Sequence, residues 1–341
     1  MAVQGSGVPT LLDILNTIAP DGKSYKIAEV LTQAEEVLED YVMVEGNTTD
    51  GHKDAVRTSL PEPSFRAFNA GVPRTKGGSS TIEETCALLE DFSQADRELA
   101  LRHPGGKDAY RTQEAIPHMQ GMSNKMARSL FYANQTTNPL EFTGFAPRFN
   151  TMDDTLSQAA GQIIDAGGTG SDLRSIWLVG WSKQTVFGIY PKGTQAGLSH
   201  EDMTNSDNGK TLYDADGNPF VGFEDHWLWR CGLMVKDWRY VVRIANIDLT
   251  ELTVDAATGP DIQDLMIQAV ELIESTNGVR AAFYIPRPLR TFFRRQIQAK
   301  ANLNLSWGDP SSISGKKVMM FDEIPVRRTD ALNTSEQQVT G

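Results

Sequence analysis

Apolar positions three and four residues apart predict helices in three places. In residues 25–44, Ile27, Val30, Leu31, Ala34, Val37, Leu38 and Tyr41 share one face, with Glu29, Glu35, Glu36 and Glu39 opposite. Residues 108–134 predict the longest helix. Its stripe is Met119, Met122, Met126, Leu130 and Ala133, and Pro117 should kink it or begin its main section. Residues 261–275 repeat Ile262, Leu265, Met266, Ala269, Val270 and Ile273 in strict helical register, and Asn277-Gly278 stops the run. Shorter helices are expected at 11–19, in the acidic stretch 83–103, at 154–166, and after Pro286-Arg287-Pro288.

Elsewhere the pattern is that of strands. SIWLVG and TVFGIYPKG predict one hairpin around Trp181-Ser182-Lys183, and HWLWRCGLMV with RYVVRIANIDL a second around Lys236-Asp237. AAFYI, beginning at Ala281, reads as a buried strand. KKVMMFDEIPVRRTDAL, from Lys316 to Leu332, reads as a closing strand broken at Glu323-Ile324-Pro325-Val326. The polar segment at 191–226 separates the hairpins and has no role evident from its pattern.

Residues 46–82 differ from both patterns. They carry five Gly, three Pro and a surplus of Lys and Arg, with weak alternation in KDAVRTSL and SFRAFNAGV. The segment is either a long disordered loop or a projecting hairpin. A structureless loop of this length inside a compact domain is uncommon, which favours the hairpin. Such an arm cannot bury its own faces and needs another subunit to lie on.

Composition narrows the function. The net charge of -12 argues against a chain whose main task is gripping nucleic-acid phosphates, and it favours solubility at high copy number. Two cysteines, Cys86 and Cys231, exclude a disulfide framework and suit a reducing cytoplasm. The start lacks the basic and apolar regions of a signal peptide, and no apolar run approaches the roughly 20 residues of a membrane span.

Each tempting catalytic motif fails on spacing. Asn208-Gly209-Lys210-Thr211 ends like a phosphate-binding loop, but Thr204 stands where its first glycine belongs. His200-Glu201 lacks a second histidine, again because of Thr204. Asp214, Asp216 and Gly217 suggest a calcium loop with its glycine too early, and read better as a turn joining two strands. Gly180-Trp181-Ser182 has Gln184 where a nucleophile elbow needs glycine. Ser314 and Lys317 match a two-letter pattern only, and the five histidines are scattered. No catalytic residue, cofactor or metal ligand is assigned, and the chain reads as a building block rather than an enzyme.

Charge clusters remain as candidate contacts. The 46–82 segment carries Lys53, Arg57, Arg66, Arg74 and Lys76. From Arg280 to Lys300 there are six basic residues and no acidic one, among them Arg287, Arg290, Arg294 and Arg295. This run is a solvated helix face, a set of forks for carboxylates of neighbouring copies, or a loose contact with packaged nucleic acid.

The order of these segments resembles the major capsid proteins of tailed double-stranded-DNA bacteriophages, and IWLVGWSKQTVFGIYPKG points to the short-tailed type. FYIPRPLRTFFRRQ is similar to that family's strand-then-helix segment, and KKVMMFDEIPVRRTDAL to its closing strand. The resemblance implies an α+β fold with an N-terminal arm and helix (1–45), an extended E-loop (46–82) and a P-domain (83–150) on a long spine helix (108–135). An A-domain with a central sheet and adjoining strands (151–315) and a closing strand with tail (316–341) complete it. It implies self-assembly into pentamers and hexamers of an icosahedral shell around double-stranded DNA. The implied partners are scaffolding protein, portal and a decoration or cement protein. The implied location is the virion capsid, assembled in the host bacterial cytoplasm. The competing readings are an encapsulin-like nanocompartment shell on the same fold and a soluble hydrolase.

Overall fold

The computed structural model describes residues 35–204, 208–214, 216–253, 259–299, 305–307 and 319–341. The helix expected at 11–19, most of the one expected at 25–44, Lys300, and the pair Ser314 and Lys317 lie outside the described residues. In chain order the first elements are α1 (Val37–Asp40), β1 (Met43–Glu45), β2 (Gly51–Ser59), β3 (Gly78–Thr85), β4 (Ala87–Asp96), α2 (Arg97–Arg102) and α3 (Gly106–Tyr132). Then come β5 (Ile163–Asp165), β6 (Leu173–Trp181), β7 (Val186–Tyr190), β8 (Leu198–Asp202), β9 (Lys210–Tyr213), β10 (Pro219–Val235) and β11 (Val241–Asp248). The last are α4 (Ile262–Leu272), β12 (Arg280–Ile285), α5 (Arg287–Ala299), β13 (Leu305–Trp307), β14 (Met319–Phe321) and β15 (Ile324–Arg328).

These elements form two compact units. The first holds Leu88–Ala127 and Gly197–Arg230. In it β8 and β9 each pair antiparallel with β10, placing His200 opposite Trp227 and Leu212 opposite Phe220. A small core of Ala95, Ala100, Tyr110 and Phe223 fills it. The polar 191–226 segment thus supplies strands. The turn foreseen at Asp214 does join two of them: its carboxylate accepts from the backbone N–H of Asp216 and Asn218, and Gly217 takes the left-handed φ of +83°.

The second unit holds Glu35–Ala87, Arg128–Ala196 and Cys231–Gly341. Its sheet centres on β6, flanked antiparallel by β11 and β12. β15 adds parallel to β12, with Ile285 opposite Arg328, and β5 adds parallel to β11. The period of two in β6 divides the layers. Ile176 and Leu178 pack with Ile262, Met266 and Ala269 of α4 and Phe293 and Ile297 of α5. Trp177 instead meets Phe131, Phe145 and Phe149. Asp261 caps α4 by accepting from Gln263 N, so the strongest periodic run also carries its own start signal.

Several expectations fail. The stretch 83–103 is strand, not helix, up to Asp96. β4 follows β3 directly, and only Arg97–Arg102 is helical, capped by the Asp96 carboxylate on Glu98 N and Leu99 N. The helix expected through residue 44 gives way to β1, which pairs parallel with β7. The helix expected at 154–166 is a 3-10 turn, Gln158–Gln162, running into β5, where Ile163 and Ile164 suit the ladder beside β11. Neither expected hairpin forms. β6 and β7 share a single parallel bridge, Trp181 with Val186, while β7 takes β1 and β10 as partners. β10 and β11 likewise pair with different neighbours. Pro117 lies inside α3, which starts at Gly106.

Candidate functional site

β2 and β3 form the projecting hairpin, in register from Gly51 opposite Thr85 to Ser59 opposite Gly78. Its root is held. Lys236 reaches Asp54 at 2.7 Å, Arg148 reaches Glu84 at 2.6 Å, and Gln135 donates to Thr85 Oγ1 at 3.0 Å. The hydrogen bond from Lys236 keeps the Asp54 carboxyl below the usual aspartate range. Beyond Ser59 the turn is solvated, and its large apolar side chains are in water: Leu60, Phe65, Phe68 and Val72 are exposed, the two phenylalanines completely. Apolar side chains this exposed on a projecting hairpin are a candidate contact surface.

The expected cations lie along this hairpin. Lys53 pairs across it with Glu83 at 3.1 Å, both side chains half-exposed. Arg66 donates to Ala70 O at 3.2 Å and closes the tip. Arg57, Arg74 and Lys76 are exposed.

The second expected cluster converges elsewhere. On α5, Leu289, Phe293, Gln296 and Ile297 are buried, so the remaining face carries Arg287, Arg290, Arg294 and Arg295. With Thr291 they line a cleft of about 460 Å³, joined by Arg328 at the end of β15, a residue that sequence reasoning missed. Its Arg-Arg dipeptide was visible, but only the pairing of β12 with β15 brings it beside α5. Arg287 is paired with Asp330, and Arg295 lies over the Phe292 ring at 5.8 Å. Nε of Arg290 and Nε of Arg328 are buried without a hydrogen-bond partner among the described residues. Burial holds the Arg290 guanidinium below the usual arginine range; the charge of Glu36 opposes this, and those of Arg328 and Arg294 add to it.

A polar network in the first unit also escaped the sequence reading. Arg111 forks onto Asp225 through Nε at 3.1 Å and Nη2 at 2.5 Å, and reaches Asp202 at 2.9 Å. Burial alone would lower its pKa, but these carboxylates outweigh it and hold the guanidinium above the usual range. His200 joins Asp225 at 2.8 Å and stacks on Trp227. Each pairing joins residues far apart in sequence, so spacing gave no signal. Among the described residues no group of three or more His, Cys, Asp or Glu is placed to hold a metal, and no helix is long and apolar enough to cross a membrane.

Comparison with known proteins places the chain in a family. The family model of the major capsid protein GP7 matches residues 19–340. A chain of the near-atomic structure of bacteriophage epsilon15 is 30% identical, with 100% of this chain and 99% of that chain covered and a TM-score of 0.77. The bacteriophage JBD30 capsid matches at 11% identity over 92% of this chain and 99% of that one, with a TM-score of 0.53, a likeness of fold. No curated protein matches the chain. The α+β fold is that of tailed-phage capsids, as the segment order implied.

Proposed function

The chain belongs to the GP7 family of major capsid proteins, and from that premise we propose how copies of it meet. Its role is structural: it builds a phage capsid and resides in the virion shell. The reading proposed is that the β2–β3 hairpin is the E-loop and lies on an adjacent subunit, while α3 is the spine helix of a P-domain. The sheet around β6 then belongs to the A-domain. Pentamers and hexamers arranged this way close an icosahedral shell around double-stranded DNA in the host bacterial cytoplasm.

One observation carries this reading: Phe65 and Phe68 stand fully in water on a hairpin whose root is tied down by Asp54 and Glu84. A second copy covering the tip removes that surface from water. Each contact need only be modest, because a subunit with several neighbours gains from multivalency. Lys53, Arg57, Arg66, Arg74 and Lys76 offer forks and ammonium groups to acidic patches of that neighbour, of which an overall charge of -12 leaves many. Scaffolding, portal and cement proteins are the further partners this role implies, and no catalysis is assigned. The family match favours a phage shell over a nanocompartment. Negative-stain microscopy of the expressed chain is the test: closed shells are expected, and a protein that stays monomeric at all concentrations and salts refutes the reading.

A further inference from the structure

We propose that Tyr132, Ser175, Arg243 and Asn246 form a peptide-recognition groove in the second unit, and that residues 335–341 occupy it as an exchangeable ligand rather than as a fixed part of the core. The pattern recognised is an extended backbone with a carboxylate and, three positions on, a β-branched apolar side chain. Here these are Glu336 and Val339. The Glu336 carboxylate accepts from Tyr132 Oη at 2.5 Å, from Ser175 Oγ, and from Arg243 Nη2 at 2.6 Å. Only 6% of its side chain is accessible to water. Its backbone N–H donates to Leu173 O at 2.9 Å. Asn246 then reads the backbone of Val339 twice, Nδ2 donating to its carbonyl oxygen and Oδ1 accepting from its N–H, both at 2.8 Å. Thr340 bridges in parallel with Thr151, and its carbonyl accepts from Met152 N at 3.1 Å.

Two features separate a seated ligand from ordinary packing. First, the receiving groups are held by the body itself. Arg243 donates through Nε to Ser175 Oγ at 3.1 Å and through Nη1 to Phe149 O at 2.5 Å, and its guanidinium lies over the Trp177 ring at 5.2 Å. Asn246 sits at an irregularity of β11 with a left-handed φ of 58°, and its Nδ2 also donates to Asp165 Oδ1 at 2.8 Å. A receptor preorganised in this way loses little freedom on binding. Second, the segment brings little core of its own. Its one apolar side chain is Val339, which is buried, while Ser335, Gln337, Gln338, Thr340 and Gly341 are exposed. Its hold is main-chain hydrogen bonds, one charged carboxylate contact and one apolar side chain, the terms on which extended peptides bind to sheets. A stretch with so few apolar contacts opens without the sheet behind it. The same segment of a second copy carries the same groups and fits the same groove.

A protease sequence inserted into the full chain between Thr334 and the exposed Ser335 allows the segment to be cut free after folding. Circular dichroism is recorded before and after the cut. A fluorescein-labelled peptide of residues 335–341 is then titrated in and followed by anisotropy. The cut protein is expected to stay folded and to bind the peptide. The uncut chain is expected to bind it at least about tenfold more weakly, because its tethered segment competes at a high effective concentration. Glu336→Gln in the peptide is expected to lower affinity by about tenfold or more, as for loss of a charged hydrogen bond, and a scrambled peptide to bind no better. Unfolding on cutting overturns the proposal, because the segment then belongs to the core. So does a cut protein that stays folded but ignores the peptide, or equal binding by cut and uncut chains. Equal binding of the native, Glu336→Gln and scrambled peptides overturns it too. Shell formation plays no part in this measurement, so the capsid reading stands or falls apart from it.

Discussion

Arg327 and Asp40, 287 residues apart, face each other in a bidentate pair, Nε to Oδ2 at 3.0 Å and Nη2 to Oδ1 at 3.0 Å. Only 5% and 4% of the two side chains is accessible to water. The pair ends a relay, since Trp181 Nε1 donates to Tyr284 Oη at 2.7 Å and Tyr284 Oη donates to Asp40 Oδ2 at 3.1 Å. It thereby ties α1 to the strands β6, β12 and β15.

Removing Asp40 leaves the buried Arg327 guanidinium only the more distant and half-exposed Glu39 carboxylate, at 3.5 Å. Asp40→Asn is expected to cost roughly 3–5 kcal/mol of subunit stability, read as a lower urea midpoint with unchanged slope. Replacing both, as Asp40→Leu with Arg327→Met, removes the charges together and should recover most of that loss. A single variant as stable as the wild type shows that water reaches the pair and that the relay does not hold α1.

Beside it, Glu35 gives this junction a pH dependence. Thr329 Oγ1 donates to Glu35 Oε2 at 2.5 Å, and the two residues also form a backbone bridge. Burial pushes the Glu35 carboxyl up to about 7 from 4.5; the Thr329 bond offsets part of this, and the charge of Asp330 adds to it. Between these pH values the unfolded chain has lost the proton and the folded chain keeps it. Folding therefore takes up a proton, and the stability owed to Glu35 falls as pH rises through 4.5 to about 7. The stability difference between wild type and Glu35→Gln is expected to move against the wild type across that window and to level off outside it. A difference constant from acid to neutral pH contradicts the assignment.

Gly188 is fixed by a close approach. A Cβ there would lie 2.0 Å from the Tyr41 ring, whose hydroxyl donates to Gly232 O at 2.6 Å. The strand thus keeps a glycine where a side chain crosses it. Gly188→Ala is expected to displace Tyr41, break that hydrogen bond and cost about 1–3 kcal/mol by overpacking. Thermal unfolding measures it, and tryptophan fluorescence should change too, since Tyr41 meets Trp181 edge-on at 5.7 Å.

What the sequence made legible follows from range. The run from Ile262 to Ile273 announced α4 because a helix is a local pattern, and Asp261 and Asn277-Gly278 bracketed it. The segment ALLEDFSQAD looked helical from its Leu and acidic residues, yet it is β4, because its partner β10 lies over a hundred positions away and leaves no local trace. The hairpins proposed for β6 with β7 and β10 with β11 failed for the same reason: turn residues were read, but partners at long range set the order. Among the candidate cations, Arg290 and Arg294 were visible as a basic run. Their convergence with Arg328 was not, since that depends on the register of β12 against β15.

At the hairpin tip, charge and apolar surface make separable predictions. Arg66→Glu with Arg74→Glu reverses two exposed cations, and Phe65→Ser with Phe68→Ser removes two exposed rings. Neither pair touches the core, so each should change subunit stability by no more than about 0.5 kcal/mol per site. Both should impair shell formation, followed by light scattering and microscopy. They should differ in salt. Contacts between exposed charges weaken as the screening length shrinks, to about 3 Å at 1 M salt, so salt should narrow the gap between the charge-reversed protein and the wild type. Apolar burial is not screened, and the serine variant should stay defective at every ionic strength. If the charge-reversed protein closes normal shells, the cations of the tip make no contact that assembly needs. If the serine variant does so as well, the tip meets no neighbour, and the hairpin is not the arm that joins subunits.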